Sequence, residues 1–180
     1  MDTENALAEI LKDVFGEECW DDNVYETARR VMGYWKENCP PCNEPFQFTT
    51  FPATVNQMII VKNIEFASMC AHHLLPFYGL VSIGYIPNKL MVGLSKIPRL
   101  VHYWAHRPST QEAFTQLIAA DLKARLECHG VAAVVRTTHT CMACRGVRAV
   151  NASMVTSEMR GVFLTSGEAR SEFLNLIGDK

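Results

Sequence analysis

The sequence predicts an α+β domain in which an antiparallel sheet is backed by helices, with further helices at the N-terminus. Two observations carry that prediction. Segments with apolar residues at helical spacing and segments rich in β-branched residues are segregated along the chain, in the order helices, strands, two helices, strands, helix. Consecutive strands are also joined by short turn-forming stretches such as Pro87-Asn88-Lys89, which suit antiparallel pairing. At 180 residues the chain fits one domain, 1–180, with a sizeable core. Residues 1–52 supply the N-terminal helices and an irregular segment, and residues 53–180 the core.

Taken in order, Leu7, Ile10, Leu11, Val14 and Phe15 make a first amphipathic helix. A second runs from about Val24 through Ala28, Val31, Met32 and Trp35, with Asp22 or Asn23 available as its cap. Asn38 to Pro52 carries four prolines and reads as irregular. Met58–Phe66 and Phe77–Ile86 are strands, and Leu90–Leu94 is expected to pair back as a short third one. Ser95 is placed as the cap of a helix burying Ile97, Leu100, Val101 and Trp104. Ser109 opens a longer helix, with Phe114, Leu117, Ile118 and Leu122 inward and Gly130 as its end. Val131–Thr138 and Val147–Val155 are the remaining strands, and Ser166 starts a final helix containing Phe173, Leu174 and Ile177.

Composition narrows the classes of function. A hydrophobic content of 48% with 20% charged residues is ordinary for a soluble globular chain. No apolar run approaches the roughly 18 residues that span a bilayer, and Met1-Asp2-Thr3-Glu4-Asn5 lacks the basic and apolar regions of a signal peptide. No membrane association and a cytoplasmic location are the resulting expectations. A net charge of −2 argues against non-specific nucleic-acid binding. Seven cysteines cannot all pair, and in a reducing compartment such residues serve as metal ligands, nucleophiles or small buried hydrophobes.

The chemistry concentrates in two stretches. Cys70-Ala71-His72-His73 offers a thiol and two imidazoles, the donors zinc prefers. His139-Thr140-Cys141 follows a strand, where residues two apart face the same side. If Cys141 joins Cys70 and one of His72 or His73, the set is Cys2His with a fourth position left for water, an arrangement typical of catalytic zinc. The other histidines then stand beside the metal as proton carriers. A competing arrangement is a structural zinc held by the Cys39/Cys42 and Cys141/Cys144 pairs. Their separation in the chain exceeds that of zinc ribbons, and it leaves the adjacent histidines unexplained.

Lys96 and Arg99 lie in the first turn of a helix, where free N–H groups already attract anions; two cations there suit a bound phosphate, or else an ordinary solvated pair. Arg145 and Arg148 add positive charge near the presumed metal. Ser109-Thr110-Gln111-Glu112 reads as a capping box, and the same Gln-Glu pair suits the amide edge of a heterocycle. From the residues alone the cap is favoured.

With these residues assembled the chain resembles the GTP cyclohydrolase I family. The landmarks are Cys70-Ala71-His72-His73, Gly84-Tyr85-Ile86-Pro87, Gly93-Leu94-Ser95-Lys96, Arg107 to Glu112, and His139-Thr140-Cys141 leading to Arg145-Gly146-Val147. The resemblance implies the tunnelling fold, in which sheets backed by helices join into barrels, and a decamer of two pentameric rings. It implies a zinc ion on Cys70, His73 and Cys141, with His72 and His139 as acid–base residues and Ser95 beside the ribose. Gln111 and Glu112 would hold the guanine edge, and Lys96, Arg99 and Arg145 the triphosphate, with Arg30 contributing from a neighbouring subunit. The implied reaction opens the guanine imidazole ring of GTP, releases formate and yields 7,8-dihydroneopterin triphosphate. Ala71 departs from the family, which usually has Glu there. That departure motivates an alternative: an idle relative that binds a purine nucleotide without full turnover.

Overall fold

The computed structural model describes residues 2–20, 23–40 and 46–178, and the chain divides into two units, Met1–Pro41 and Cys42–Lys180. The first unit is a helix pair, α1 (Thr3–Phe15) and α2 (Val24–Asn38). Asn23 caps α2: its side-chain oxygen accepts from the Tyr25 N–H at 3.0 Å, satisfying a donor the helix itself cannot. Asp22, the other expected cap, lies outside the described residues. Ala8, Val24 and Ala28 are the buried centre of this pair, with Leu7, Leu11 and Trp20 packed on them.

The second unit is α+β, as the sequence predicts. Its strands are β1 (Thr50–Pro52), β2 (Ile59–Met69), β3 (Pro76–Ile86), β4 (Leu90–Val92), β5 (Gly130–His139) and β6 (Met154–Gly161); its helices are α3 (Lys96–Ala105), α4 (Gln111–Leu126), α5 (Thr140–Ala143), α6 (Val162–Thr165) and α7 (Gly167–Ile177). The main sheet is antiparallel throughout, in the order β2-β3-β5-β6. Alternation along the strands decides what each face covers. Phe66, Phe77, Val81, Ile83 and Val135 face α3 and α4, where they meet Ile97, Leu100, Phe114 and Ile118. Phe66 stacks on Phe114 with ring centroids 4.6 Å apart. The opposite face carries Ala132 and Val134, covered by Phe163 of α6 and by Phe173 and Ile177 of α7. That cover stops partway: Tyr78, Leu80 and Val155 on the same face are 50%, 39% and 57% exposed.

The structure corrects several expected elements. Leu90–Val92 does not pair back onto β3 but onto β1, Thr50 opposite Val92 and Pro52 opposite Leu90; the prolines hid β1, because a proline is tolerated on such a peripheral strand. The strand expected at Val147–Val155 is instead a turn-rich segment, with Gly146 and Arg148 both at positive φ, and the strand begins at Met154. Helix α4 is capped by Thr110, whose hydroxyl accepts from the Ala113 N–H at 3.2 Å, not by Ser109. It ends at Leu126, with Glu127 in the left-handed conformation, not at Gly130. Gly130 opens β5, where a Cβ would lie 2.8 Å from the Arg160 carbonyl oxygen. Ser95 precedes α3 without making a side-chain cap, whereas Ser166 caps α7 by accepting from the Ala169 N–H at 3.2 Å.

Candidate metal centre and active site

β2 and β3 are joined by the loop Cys70–Leu75. The Cys70 N–H donates to the Leu75 carbonyl at 2.9 Å and the Leu74 N–H back to the Cys70 carbonyl at 2.8 Å, closing the loop on itself. Leu74 takes a positive φ of 52° to allow it. The residues before α4 pin it from the side: the Ser109 N–H donates to Met69 at 2.9 Å, and the Ala71 N–H to Ser109 at 3.1 Å. Cys70 is buried here, while Ala71, His72 and His73 are exposed. Its sulfur lies 3.8 Å from Nδ1 of both His72 and His73.

β5 ends at His139, and the chain turns at once into α5. The Thr140 hydroxyl donates to the Pro76 carbonyl at 2.6 Å, which ties this turn to the start of β3 and so to the loop. Cys141 therefore reaches the site from a helical turn, not through the strand alternation that the sequence reading used. The ligand atoms of Cys70, His73 and Cys141 all lie within 4.8 Å of one another. His72, though equally near Cys70, is outside that group.

Burial pushes the Cys141 thiol above its ordinary range, and the neighbouring Cys70 pushes it further, against the pull of Arg145. Two adjacent thiols resist ionising together unless a cation lies between them, and a bound metal ion reverses that penalty. Two thiolates and an imidazole fit a borderline-soft ion such as zinc, and three protein donors leave one position open. Arg145 Nη1 sits 2.7 Å from His73 Nε2. A guanidinium only donates, so this contact uses Nε2 as a lone pair. A metal held at Nδ1 would leave the ring proton on Nε2, which could then no longer accept from Arg145.

His139 is held from two sides. Its ring stacks on Phe77 at 4.8 Å and 2°, and Nε2 is 2.8 Å from Gln111 Oε1. Burial lowers its pKa from the ordinary histidine value, while the charge of Glu112 works in the opposite direction. Gln111 is only 1% exposed. Its amide nitrogen faces the carbonyls of Val135 and Met154 and the Thr156 hydroxyl at 3.1, 3.3 and 3.0 Å, and its oxygen also accepts from the Thr137 hydroxyl. Glu112, the next residue, is exposed and lines an open cleft of about 530 Å³ with Thr110, Gln116, Thr156, Ser157 and Glu158. Freed from any capping box with Ser109, its carboxylate is available to a ligand. The supporting residues Phe77, Thr137 and Thr156 escaped the sequence reading. For Thr137 a signal was present, because it lies two residues before His139 on the same strand face.

Of the expected anion-binding residues, Lys96 and Arg99 occupy the first turn of α3, which contains no acidic residue. Lys96 Nζ also donates to the Gln47 carbonyl at 3.3 Å. Ser95 and Arg99 are exposed. Arg30 lies on α2 in the first unit. Cys144 is an exposed thiol just after α5, outside the Cys70–His73–Cys141 group. Cys39 ends α2, and Cys42 falls outside the described residues. A further cleft of about 480 Å³, lined by Glu65, Tyr78, Leu80 and His102 among others, contains none of the sequence-predicted site residues.

Comparison with known proteins bears on this geometry. The family model for GTP cyclohydrolase I matches residues 3–178. The chain is 46% identical over 182 residues to the GTP cyclohydrolase 1 of Campylobacter jejuni subsp. jejuni serotype O:6, covering 97% of this chain and 93% of that protein. It is 40% identical over 180 residues to the Campylobacter curvus protein of the same name, with the same coverage of 97% and 93%. With the Thermobifida fusca GTP cyclohydrolase 1 it shares 43% identity over 179 residues, 97% of this chain and 86% of that one. Among solved structures, an apo archaeosine synthase QueF-Like is similar with a TM-score of 0.48 and 15% identity, over 61% of this chain and 97% of that one.

Proposed function

The chain belongs to the GTP cyclohydrolase I family, and we propose that it is a zinc-dependent enzyme that opens the guanine imidazole ring of GTP, releases formate and forms 7,8-dihydroneopterin triphosphate. The observation that carries the finer reading is the convergence of Cys70, His73 and Cys141. A zinc ion on these three residues would lower the pKa of water towards about 7 and so supply a nucleophile at neutral pH.

The remaining work falls to side chains. Glu112 accepts from the guanine N–H edge, a role suited to an exposed carboxylate on a cleft. Lys96 and Arg99 hold the triphosphate at the start of α3, where helix N–H groups add to their charge. Arg145, released from His73, joins them, and Arg30 contributes from a neighbouring copy of the chain. Ser95 sits by the ribose. His139 gives a proton to the ring nitrogen of the opening base, and His72, on the exposed loop, exchanges protons with solvent. Gln111 has both amide hydrogens committed inside the fold, which leaves the guanine edge to Glu112.

The same reading includes a homodecamer of two pentameric rings. Two features favour assembly: the edge strands β2 and β6 of an open sheet, and the exposed apolar residues Tyr78, Leu80 and Val155 on its partly covered face. A cytoplasmic location accords with the free thiols among the described cysteines, and no helix among the described residues is long and apolar enough to cross a membrane. The test is to incubate the purified, zinc-loaded protein with GTP and follow formate and pterin fluorescence. Equimolar formate and pterin are expected; GTP bound but unchanged would support the idle-relative alternative.

A further inference from the structure

The side chain expected to read the guanine edge beside Glu112 is instead the centre of a buried polar network, and that network dictates the protonation pattern of the neighbouring histidine. Gln111 Nε2 faces the carbonyl oxygens of Val135 and Met154 at 3.1 and 3.3 Å, and neither can donate. Turning the amide over would place its oxygen against both carbonyls, so its orientation is determined. The Thr115 hydroxyl donates to the Gln111 backbone carbonyl at 2.7 Å. The 2.6 Å contact between Thr115 and Thr156 is then donated by Thr156, which leaves the Thr156 oxygen to accept from Gln111 Nε2 at 3.0 Å. Gln111 Oε1 can only accept. It accepts from the Thr137 hydroxyl and faces His139 Nε2 at 2.8 Å, so Nε2 must carry a hydrogen. The parallel stack on Phe77 fixes the ring plane about that bond.

We propose that Gln111 is a positioning residue that holds His139 in one tautomer, with Nε2 protonated and Nδ1 bare, so that Nδ1 is the nitrogen exchanging protons during ring opening. The catalytic part of this statement rests on the function proposed above; the tautomer does not. To act as an acid His139 first takes a proton from water at Nδ1; that N–H bond then breaks as the proton goes to the base nitrogen, and the ring returns to the neutral form still bonded to Gln111 through Nε2. Substrate reading is left to Glu112, one residue on, and the buried amide contributes geometry instead of affinity.

The experiment is solid-state ¹⁵N NMR of the zinc-loaded protein carrying ring-labelled histidine, the His139 signals being identified by their loss in His139→Gln. A bare Nδ1 and a protonated Nε2 are expected in the wild type, and Gln111→Met, similar in length without polar atoms, should lose that single pattern. Gln111→Leu, which also removes the acceptor and sets no oxygen against the Val135 and Met154 carbonyls, should lose it too, and it decides the matter if the Met variant does not fold. A protonated Nδ1 in the wild type, or an unchanged pattern in Gln111→Met, overturns the proposal. In steady-state kinetics Gln111→Met should lower kcat by about tenfold or more and leave KM for GTP within about twofold. A raised KM with kcat preserved would instead make Gln111 a substrate reader. Should the wild-type protein turn over no GTP, the functional reading falls while the ¹⁵N measurement still decides the tautomer.

Discussion

The β5–α5 junction and the Cys70–Leu75 loop supply one site but are held in opposite ways. At the junction, His139 is clamped between the fully buried Phe77 and the buried amide of Gln111. The loop is a surface hairpin connection whose two imidazoles are exposed, anchored by backbone bonds to Leu75 and Ser109. The first half is organised by the core before any ligand arrives; the second brings its donors together but leaves their final order to the ion they would hold. Under the proposed function, a single site would combine a pre-set proton carrier, His139, with a ligand pair ordered by the metal. That division is open to test.

Removing a ligand should have the largest effect. Cys141→Ala is expected to abolish bound metal and to cost more than about a hundredfold in turnover, since even residues that only support ligands are worth 10–100-fold. Metal analysis beside the GTP assay reads both. Stripping the metal with a chelator should raise amide exchange in residues 70–75 while β5 up to His139 stays protected; equal loosening of both regions would erase the contrast. Phe77→Leu keeps an apolar side chain in the core and removes the ring beneath His139. It should cost about 1–2 kcal/mol of stability in a denaturant titration and several-fold in kcat, with metal content unchanged.

Ala71→Glu adds a carboxylate to the exposed loop beside Cys70 and is expected to change turnover by no more than about threefold, because it leaves all three donors in place. Gain of activity from a silent wild type would instead mark the chain as a nucleotide-binding relative. The smallest effect is expected at Cys144→Ser and Cys39→Ala. Both should retain metal and activity within about twofold, and loss of metal in either would revive the paired-cysteine arrangement.

The residue types of the site were legible in the sequence because thiols and imidazoles at these spacings have few other uses. Period placed Ile97, Leu100 and Val101 of α3 and Phe114, Ile118 and Leu122 of α4 in the core, but Trp104 and Leu117 are only half-buried, and the buried polar residues Gln111 and Thr115 did not follow from it. What was hidden depended on partners distant in the chain. Cys141 was expected on a strand, yet the Thr140–Pro76 bond turns it into a helical turn. Ser109 looked like a helix cap until its backbone was found paired with Met69 and Ala71. Pro52 masked a strand whose partner, Leu90, lies across the β3–β4 turn. Gln111 and Glu112 read as one polar pair, but a helix start at the edge of the core sends adjacent side chains to opposite environments. No local pattern records which of the two goes inward.

The central claim is that ring opening depends on one metal ion held by Cys70, His73 and Cys141, and titrating zinc into metal-stripped protein while measuring formate release from GTP tests it most directly. Turnover should be negligible without metal, rise in proportion to bound zinc and level off at one ion per chain. Full turnover in metal-free protein, or saturation that persists in Cys141→Ala, would contradict it.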